Sequence, residues 1–134
     1  MQRIRFERDH ALTGAELASV FARSGINRLT ADQQRMQQMA DTASLLVTAW
    51  DGDFLVGVAR SLTDFCAACY LADLAVDRTY QNRGIGAQLV QETRSAIGST
   101  ALLLLLAAPT AMAYYPKIGF TPVQNGWISR TLLT

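Results

Sequence analysis

Half of the 134 residues are hydrophobic, enough for one buried core and too few for a second domain, so residues 1–134 read as a single domain. Twelve basic and eleven acidic side chains leave a formal charge of +1, and the arginines are scattered, which argues against nucleic acid or an anionic membrane surface as a partner. The most apolar run, residues 101–108, is eight residues long where a membrane-crossing helix needs roughly 20, and residues 1–9 mix Arg3, Arg5 and Arg8 with Glu7 and Asp9 rather than forming a signal segment; a cytoplasmic location follows.

Residues 2–7 alternate Ile4 and Phe6 with arginines, as a strand with one wet face does. Thr13-Gly14-Ala15-Glu16 has capping-box spacing, and Leu17, Val20 and Phe21 then recur at helical intervals up to a stop at Gly25. Thr30-Ala31-Asp32-Gln33 repeats the capping logic for a second, mostly polar helix ending near Thr42, with Met36, Met39 and Ala40 on one side. Residues 45–50 and 54–61 are β-rich and are joined by Asp51-Gly52-Asp53, the composition of a tight hairpin turn. A third run, 69–76, completes an antiparallel meander. Helical periodicity returns over 84–97, with Leu89, Val90, Thr93 and Ile97 on one face and Gly98 as the stop. The lack of alternation over 101–108 predicts a strand covered on both faces at the centre of a sheet, reached by a strand-helix-strand crossover. Pro109-Thr110 opens a short helix to about Lys117, Gly119 ends it, and residues 120–133 read as two short strands around a Gln124-Asn125-Gly126 turn.

Cys66-Ala67-Ala68-Cys69 has the spacing of a redox pair or half a zinc site, but His10 is the only histidine and there is no second cysteine pair; both are read as ordinary thiols and no metal is expected. The chemically informative stretch is Leu74-Ala75-Val76-Asp77-Arg78-Thr79-Tyr80-Gln81-Asn82-Arg83-Gly84-Ile85-Gly86-Ala87, where a strand ends, a glycine-bearing turn follows and a helix starts. The first N–H groups of a helix lack intrahelical partners and sit at the positive end of its dipole, which suits a phosphate. Gly84 and Gly86 allow close backbone approach, and Arg83 can add a charge-assisted contact. A P-loop is excluded because the single lysine, Lys117, lies elsewhere, and the dinucleotide fingerprint fails because position 89 is leucine.

The segment Gln81-Asn82-Arg83-Gly84-Ile85-Gly86 resembles the Gln/Arg-x-x-Gly-x-Gly/Ala signature of the GNAT (Gcn5-related N-acetyltransferase) superfamily, with Leu74-Ala75-Val76 at the expected distance upstream. Residues 111–120, Ala-Met-Ala-Tyr-Tyr-Pro-Lys-Ile-Gly-Phe, are similar to that family's Ala-x-x-Phe/Tyr-Tyr-x-x-x-Gly-Phe segment. The resemblance implies an α/β (α+β) fold in which a mixed, mostly antiparallel sheet of six to seven strands is flanked by about four helices and contains a splayed strand pair for the cofactor. It implies one acyltransferase domain over 1–134 that uses acetyl-CoA as co-substrate, with no metal, and carries the acetyl group, or a longer acyl group, to a small-molecule or protein amine. The alternative from another class is a non-catalytic acyl-CoA sensor with the same fold.

By the same resemblance, the backbone of Leu74, Ala75 and Val76 would hold the pantetheine arm, an amide near Leu74 would polarise the thioester carbonyl, and Gln81, Asn82, Arg83, Gly84, Ile85, Gly86 and Ala87 would hold the pyrophosphate. Tyr115 matches the family's usual acid and would protonate the departing thiolate, whereas Tyr114 is expected to pack. Two departures stand out. Tyr70 occupies the position where some lysine-acetylating relatives carry a glutamate, and Ala108 that of a cofactor-contacting asparagine. Asp73 is then the nearest carboxylate, able to accept a proton directly or through water, or only to hold a turn or an arginine. Acceptor-contacting segments would be roughly 25–42 and 63–67. Relatives of this kind are frequently dimers, and an apolar C-terminal strand would suit a homodimer interface.

Overall fold

A computed structural model describes residues 3–130. Strand β1 (Ile4–Glu7) leads to helices α1 (Gly14–Ser24) and α2 (Gln33–Thr42), strands β2 (Leu45–Asp51), β3 (Phe54–Thr63) and β4 (Ala68–Val76), helix α3 (Ile85–Ile97) and strand β5 (Leu102–Leu104). The sheet order is β1-β2-β3-β4-β5, antiparallel except for the parallel β4 and β5 pair that α3 connects. The expected capping box closes α1: the Thr13 hydroxyl accepts from the Glu16 amide, the Glu16 carboxylate accepts from the Thr13 amide, and Gly25 ends the helix in the left-handed region. The second helix starts one capping group later than the repeat suggested, because it is the Asp32 carboxylate that accepts from the Arg35 amide.

Both faces of the sheet are covered. Ile85, Leu89, Val90 and Ile97 of α3 bury Leu45, Val47, Ala49, Val56, Ala59, Cys69 and Leu71 on one face. Leu17, Val20 and Phe21 of α1, with Met36 and Ala40 of α2, bury Trp50, Leu55, Val58 and Ala75 on the other. A bulge in β4 governs what faces where. Arg60 pairs with Asp73 but Ser61 pairs with Leu71, leaving Ala72 as the extra residue. Cys69 and Leu71 before the bulge face α3; after it the parity reverses, so Leu74 and Val76 pack on the α3 side and Ala75 on the α1 side.

The C-terminal part differs from expectation. Residues 101–108 do not form a central covered strand: β5 is three residues long, lies at the sheet edge among the described residues, and leaves Leu102 and Leu106 each 63% exposed. A non-alternating apolar run is covered on both faces only if a further strand flanks it, and residues 121–130 form none. Pro122 removes a ladder donor beside the turn, and too few residues remain on either side of Gln124-Asn125-Gly126 to bury a face; residues 131–133 of the expected last strand lie outside the described residues. The expected helix over 109–117 is two 3₁₀ turns, Pro109–Ala111 and Tyr115–Ile118. Pro116 has no N–H to return to Met112, so the segment closes through shorter bonds, Tyr114 to Ala111 and Lys117 to Tyr114, before Gly119 stops it. Among the described residues the sheet therefore has five strands rather than six or seven, with three α-helices rather than four, in the same mixed, mostly antiparallel plan.

Candidate active site

The turn between β4 and α3 is built to leave amides free. Helices α1 and α2 have side-chain caps; α3 has none, and its first internal bond is Gln88 N–H to the Gly84 carbonyl. The N–H groups of Ile85, Gly86 and Ala87 are consequently without intrahelical acceptors at the positive end of the helix. Asn82 and Gly84 hold φ of 64° and 81°, left-handed conformations that turn the chain into the helix, and no heavy atom stands within 4 Å of where a Cβ on Gly84 would lie. The cradle is open and fits a diphosphate. Arg83 lies with its guanidinium carbon 5.2 Å from the centre of the Tyr80 ring, beside the same turn. The Gln81 side-chain amide donates to the carbonyls of Val76 (2.8 Å) and Ser24 (3.3 Å), which ties the turn to the end of β4 and to α1.

Asp77 anchors this turn from below. It is 5% exposed, one oxygen accepts from the Thr79 amide at 2.8 Å, and the other accepts from Arg23 Nη1 at 2.6 Å. Burial alone pushes its carboxyl up, but the Arg23 and Thr79 hydrogen bonds more than reverse this and hold it below the usual carboxylate range. A depressed folded-state pKa contributes stability that is present above the ordinary carboxylate value and lost as pH falls through the folded value. Asp77→Asn is therefore expected to cost about 1 to 3 kcal/mol near neutrality, since it removes the charge that pairs with Arg23, a half-buried guanidinium that keeps its bond to the Leu55 carbonyl, and to cost progressively less in acid; urea denaturation of both proteins across that range checks it.

The strand edge next to the turn is open as well. The β4 and β5 ladder consists of Ala68 with Leu102, Cys69 with Leu103 and Tyr70 with Leu104, and stops there, while β4 continues to Val76. From Leu71 onward β4 is paired only to β3, so the two parallel strands splay and the backbone of Leu74, Ala75 and Val76 lines the gap, with the Val76 carbonyl held by Gln81. The expected splayed pair is present, and the bulge at Ala72 sits at its closed end.

The two tyrosines approach from the α3 side. The Tyr114 hydroxyl lies 3.0 Å from where a Cβ on Gly86 would stand, with the Val76 side chain 3.8 Å from the same point, so this side chain reaches the turn instead of packing away from it. Tyr115 is held edge-on between Tyr114 and Phe120, with ring centres 5.3 and 5.5 Å away. Burial, and for Tyr115 also its neighbour Tyr114, pushes both phenols above their ordinary value, so each keeps its proton through neutral pH. Tyr114 is a group that the motif comparison alone did not bring to the turn; the second hydroxyl in a position the family fills with either Phe or Tyr was its only sequence signal.

Asp73 is placed on the other face. It is 2% exposed, and both oxygens are occupied: Oδ1 accepts from Arg28 Nε and Oδ2 from Arg60 Nε, each at 2.5 Å. The structure thus brings Tyr114, Tyr115 and the turn together and sets Asp73 apart, in a buried triad with two arginines. Arg60 escaped the sequence reading, although it is the lone charge inside the apolar run of β3 and a buried charge needs a partner. Of the cysteines, Cys66 is exposed on the β3–β4 loop and Cys69 is buried under α3. That loop is pinned by Asp64, whose carboxylate accepts from the amides of Ala68, Cys66 and Ala67 and is held well below the usual carboxylate range by them. No helix among the described residues is long and apolar enough to cross a membrane.

Solved structures share this architecture. A GNAT-family acetyltransferase from Streptococcus pneumoniae matches at 20% identity and a TM-score of 0.74, over 96% of this chain and 100% of that one. A protein of unknown function from methicillin-resistant Staphylococcus aureus matches at 20% identity and 0.80, over 98% and 100%. An aminoglycoside acetyltransferase from an uncultured soil metagenomic sample, in complex with sisomicin, matches at 18% identity and 0.70, over 98% and 97%. At such identities the likeness speaks for the fold, and among curated proteins none matches this sequence. The sequence also matches the family described as acetyltransferase (GNAT) domain over residues 13–130, a span that takes in both helical layers and the splayed strands. The chain therefore belongs to the GNAT acetyltransferase family.

Proposed function

We propose that this chain is an acetyl-CoA-dependent N-acyltransferase that acts as one domain and modifies an amine. The observation that carries the reading is the uncapped N-terminus of α3, set beside a stretch of β4 that has no partner on its β5 side. Amides of Gly84, Ile85, Gly86 and Ala87, with Asn82 and Arg83 alongside, hold the diphosphate; the backbone of Leu74, Ala75 and Val76 holds the arm that follows. Acetyl-CoA, when bound, supplies an acyl thioester, which is the activated group. An amide near Leu74 stabilises charge gained by its carbonyl oxygen. Tyr115, protonated at neutral pH, gives its proton to the departing sulfur, and Tyr114 orders the turn end of the cleft. Asp73 positions Arg28 and Arg60, and the proton lost by the amine passes to water.

The test is thiol release from acetyl-CoA across a panel of amines. Release that depends on a particular amine supports the reading, whereas coenzyme binding with only background hydrolysis leaves a non-catalytic acyl-CoA sensor. We place the activity in the cytoplasm. The exposed Leu102 on β5 and the exposed Leu106 that follows it support a homodimer, to be read by sedimentation.

A further inference from the structure

Strand β3 reads Phe-Leu-Val-Gly-Val-Ala-Arg-Ser-Leu-Thr, and its single charge, Arg60, is directly opposite Asp73 on β4. Arg60 is 8% exposed, and its Nε donates to Asp73 Oδ2. Asp73 is fully used, because Oδ1 already accepts from Arg28. Arg28 is held through all three of its nitrogens, with Nη1 donating to the Asn27 carbonyl at 2.7 Å and Nη2 to the Ala72 carbonyl at 3.1 Å, and its side chain, 32% exposed, keeps its remaining N–H groups toward water. The two terminal nitrogens of Arg60 are different. Among the described residues neither has an acceptor, and a tenth of the side chain opens to solvent. Two guanidinium groups against one carboxylate leave one positive charge uncompensated, next to the bulge that closes the splayed cleft. A nearly buried cation that must share its one anion with a second cation is under-compensated, and the planar fork of a guanidinium matches a carboxylate with two parallel hydrogen bonds.

We infer that the acceptor amine carries a carboxylate, as a free amino acid does, and that the terminal nitrogens of Arg60 bind it while Asp73 and Arg28 hold the fork in place. The inference rests on the transferase reading and narrows it. The same residual charge repels a polycationic acceptor, which would need free carboxylates at this position.

The experiment pairs free L-amino acids with their carboxamides, so that the only change is loss of the negative charge. Thiol release from acetyl-CoA gives kcat/KM for each pair, and thermal shift in the presence of coenzyme A reports binding without turnover. The acids are expected to exceed the amides by about 10- to 100-fold in kcat/KM, mostly through KM, in line with a charge-assisted hydrogen bond. Arg60→Gln should collapse that ratio, and Arg60→Lys, which keeps the charge and guards against misfolding, should retain part of it. Thiol release with acid and amide equal, or the amide favoured, overturns the inference and leaves the transferase reading standing. A thermal shift with acids alone and no thiol release supports the carboxylate site and overturns the transferase reading. Neither turnover nor shift with any pair overturns the inference, and thiol release across the wider amine panel then decides the transferase reading.

Discussion

Gly86→Asp is expected to weaken coenzyme A binding by at least about 100-fold, roughly 2.7 kcal/mol, while the protein melts at or slightly above the wild-type temperature. The two effects separate because they arise from different physics. A carboxylate on the second residue of α3 is favoured by the helix dipole, worth about 0.3 to 1 kcal/mol, and replacing a helical glycine removes its backbone-entropy penalty. The new Cβ would stand 3.0 Å from the Tyr114 hydroxyl, but that atom is the tip of a side chain that can swing, not backbone. The diphosphate has no such freedom: the same amides now face a fixed negative charge. Calorimetry with coenzyme A and a thermal melt of the same protein read both numbers, and wild-type affinity in the variant would refute the assignment of the turn.

Removing one hydroxyl gives the second large effect. Tyr115→Phe keeps the ring that packs edge-on against Tyr114 and Phe120, so stability and the KM for acetyl-CoA should change little. Turnover should fall by about 100- to 10,000-fold, the range for a lost general acid. The pH profile adds an independent signature. Because burial raises the phenol above its ordinary value, wild-type turnover holds through neutral pH, rises where the amine loses its proton, and declines only in strong base as the phenol ionises. That basic decline should vanish in Tyr115→Phe. If instead Tyr114→Phe shows the loss and Tyr115→Phe does not, the proton donor is the tyrosine whose hydroxyl lies over Gly86.

Much of this was legible in the order of residues, because it depends on neighbours close in sequence. The capping box at Thr13 and Glu16, the hairpin at Asp51-Gly52-Asp53 and the start of α3 beside Gly84 are local, and each formed where the spacing put it. The C-terminal quarter departs from expectation for the converse reason. Whether residues 101–108 are covered depends on a strand that must come from elsewhere, and an apolar run reads the same with or without it.

The sequence by itself determined the turn that can hold a diphosphate, since free amides at a helix start require only a glycine, a following helix and no capping side chain. The tertiary structure alone decided the fate of Asp73. Its partners lie 13 and 45 residues away, and they meet it only because the Ala72 bulge sets the register opposite Arg60 and the α1–α2 loop brings Arg28 over the strand. Whether a carboxylate is bound by guanidinium groups depends on which charges surround it in space, and pairing across strands is a long-range outcome that no local spacing encodes.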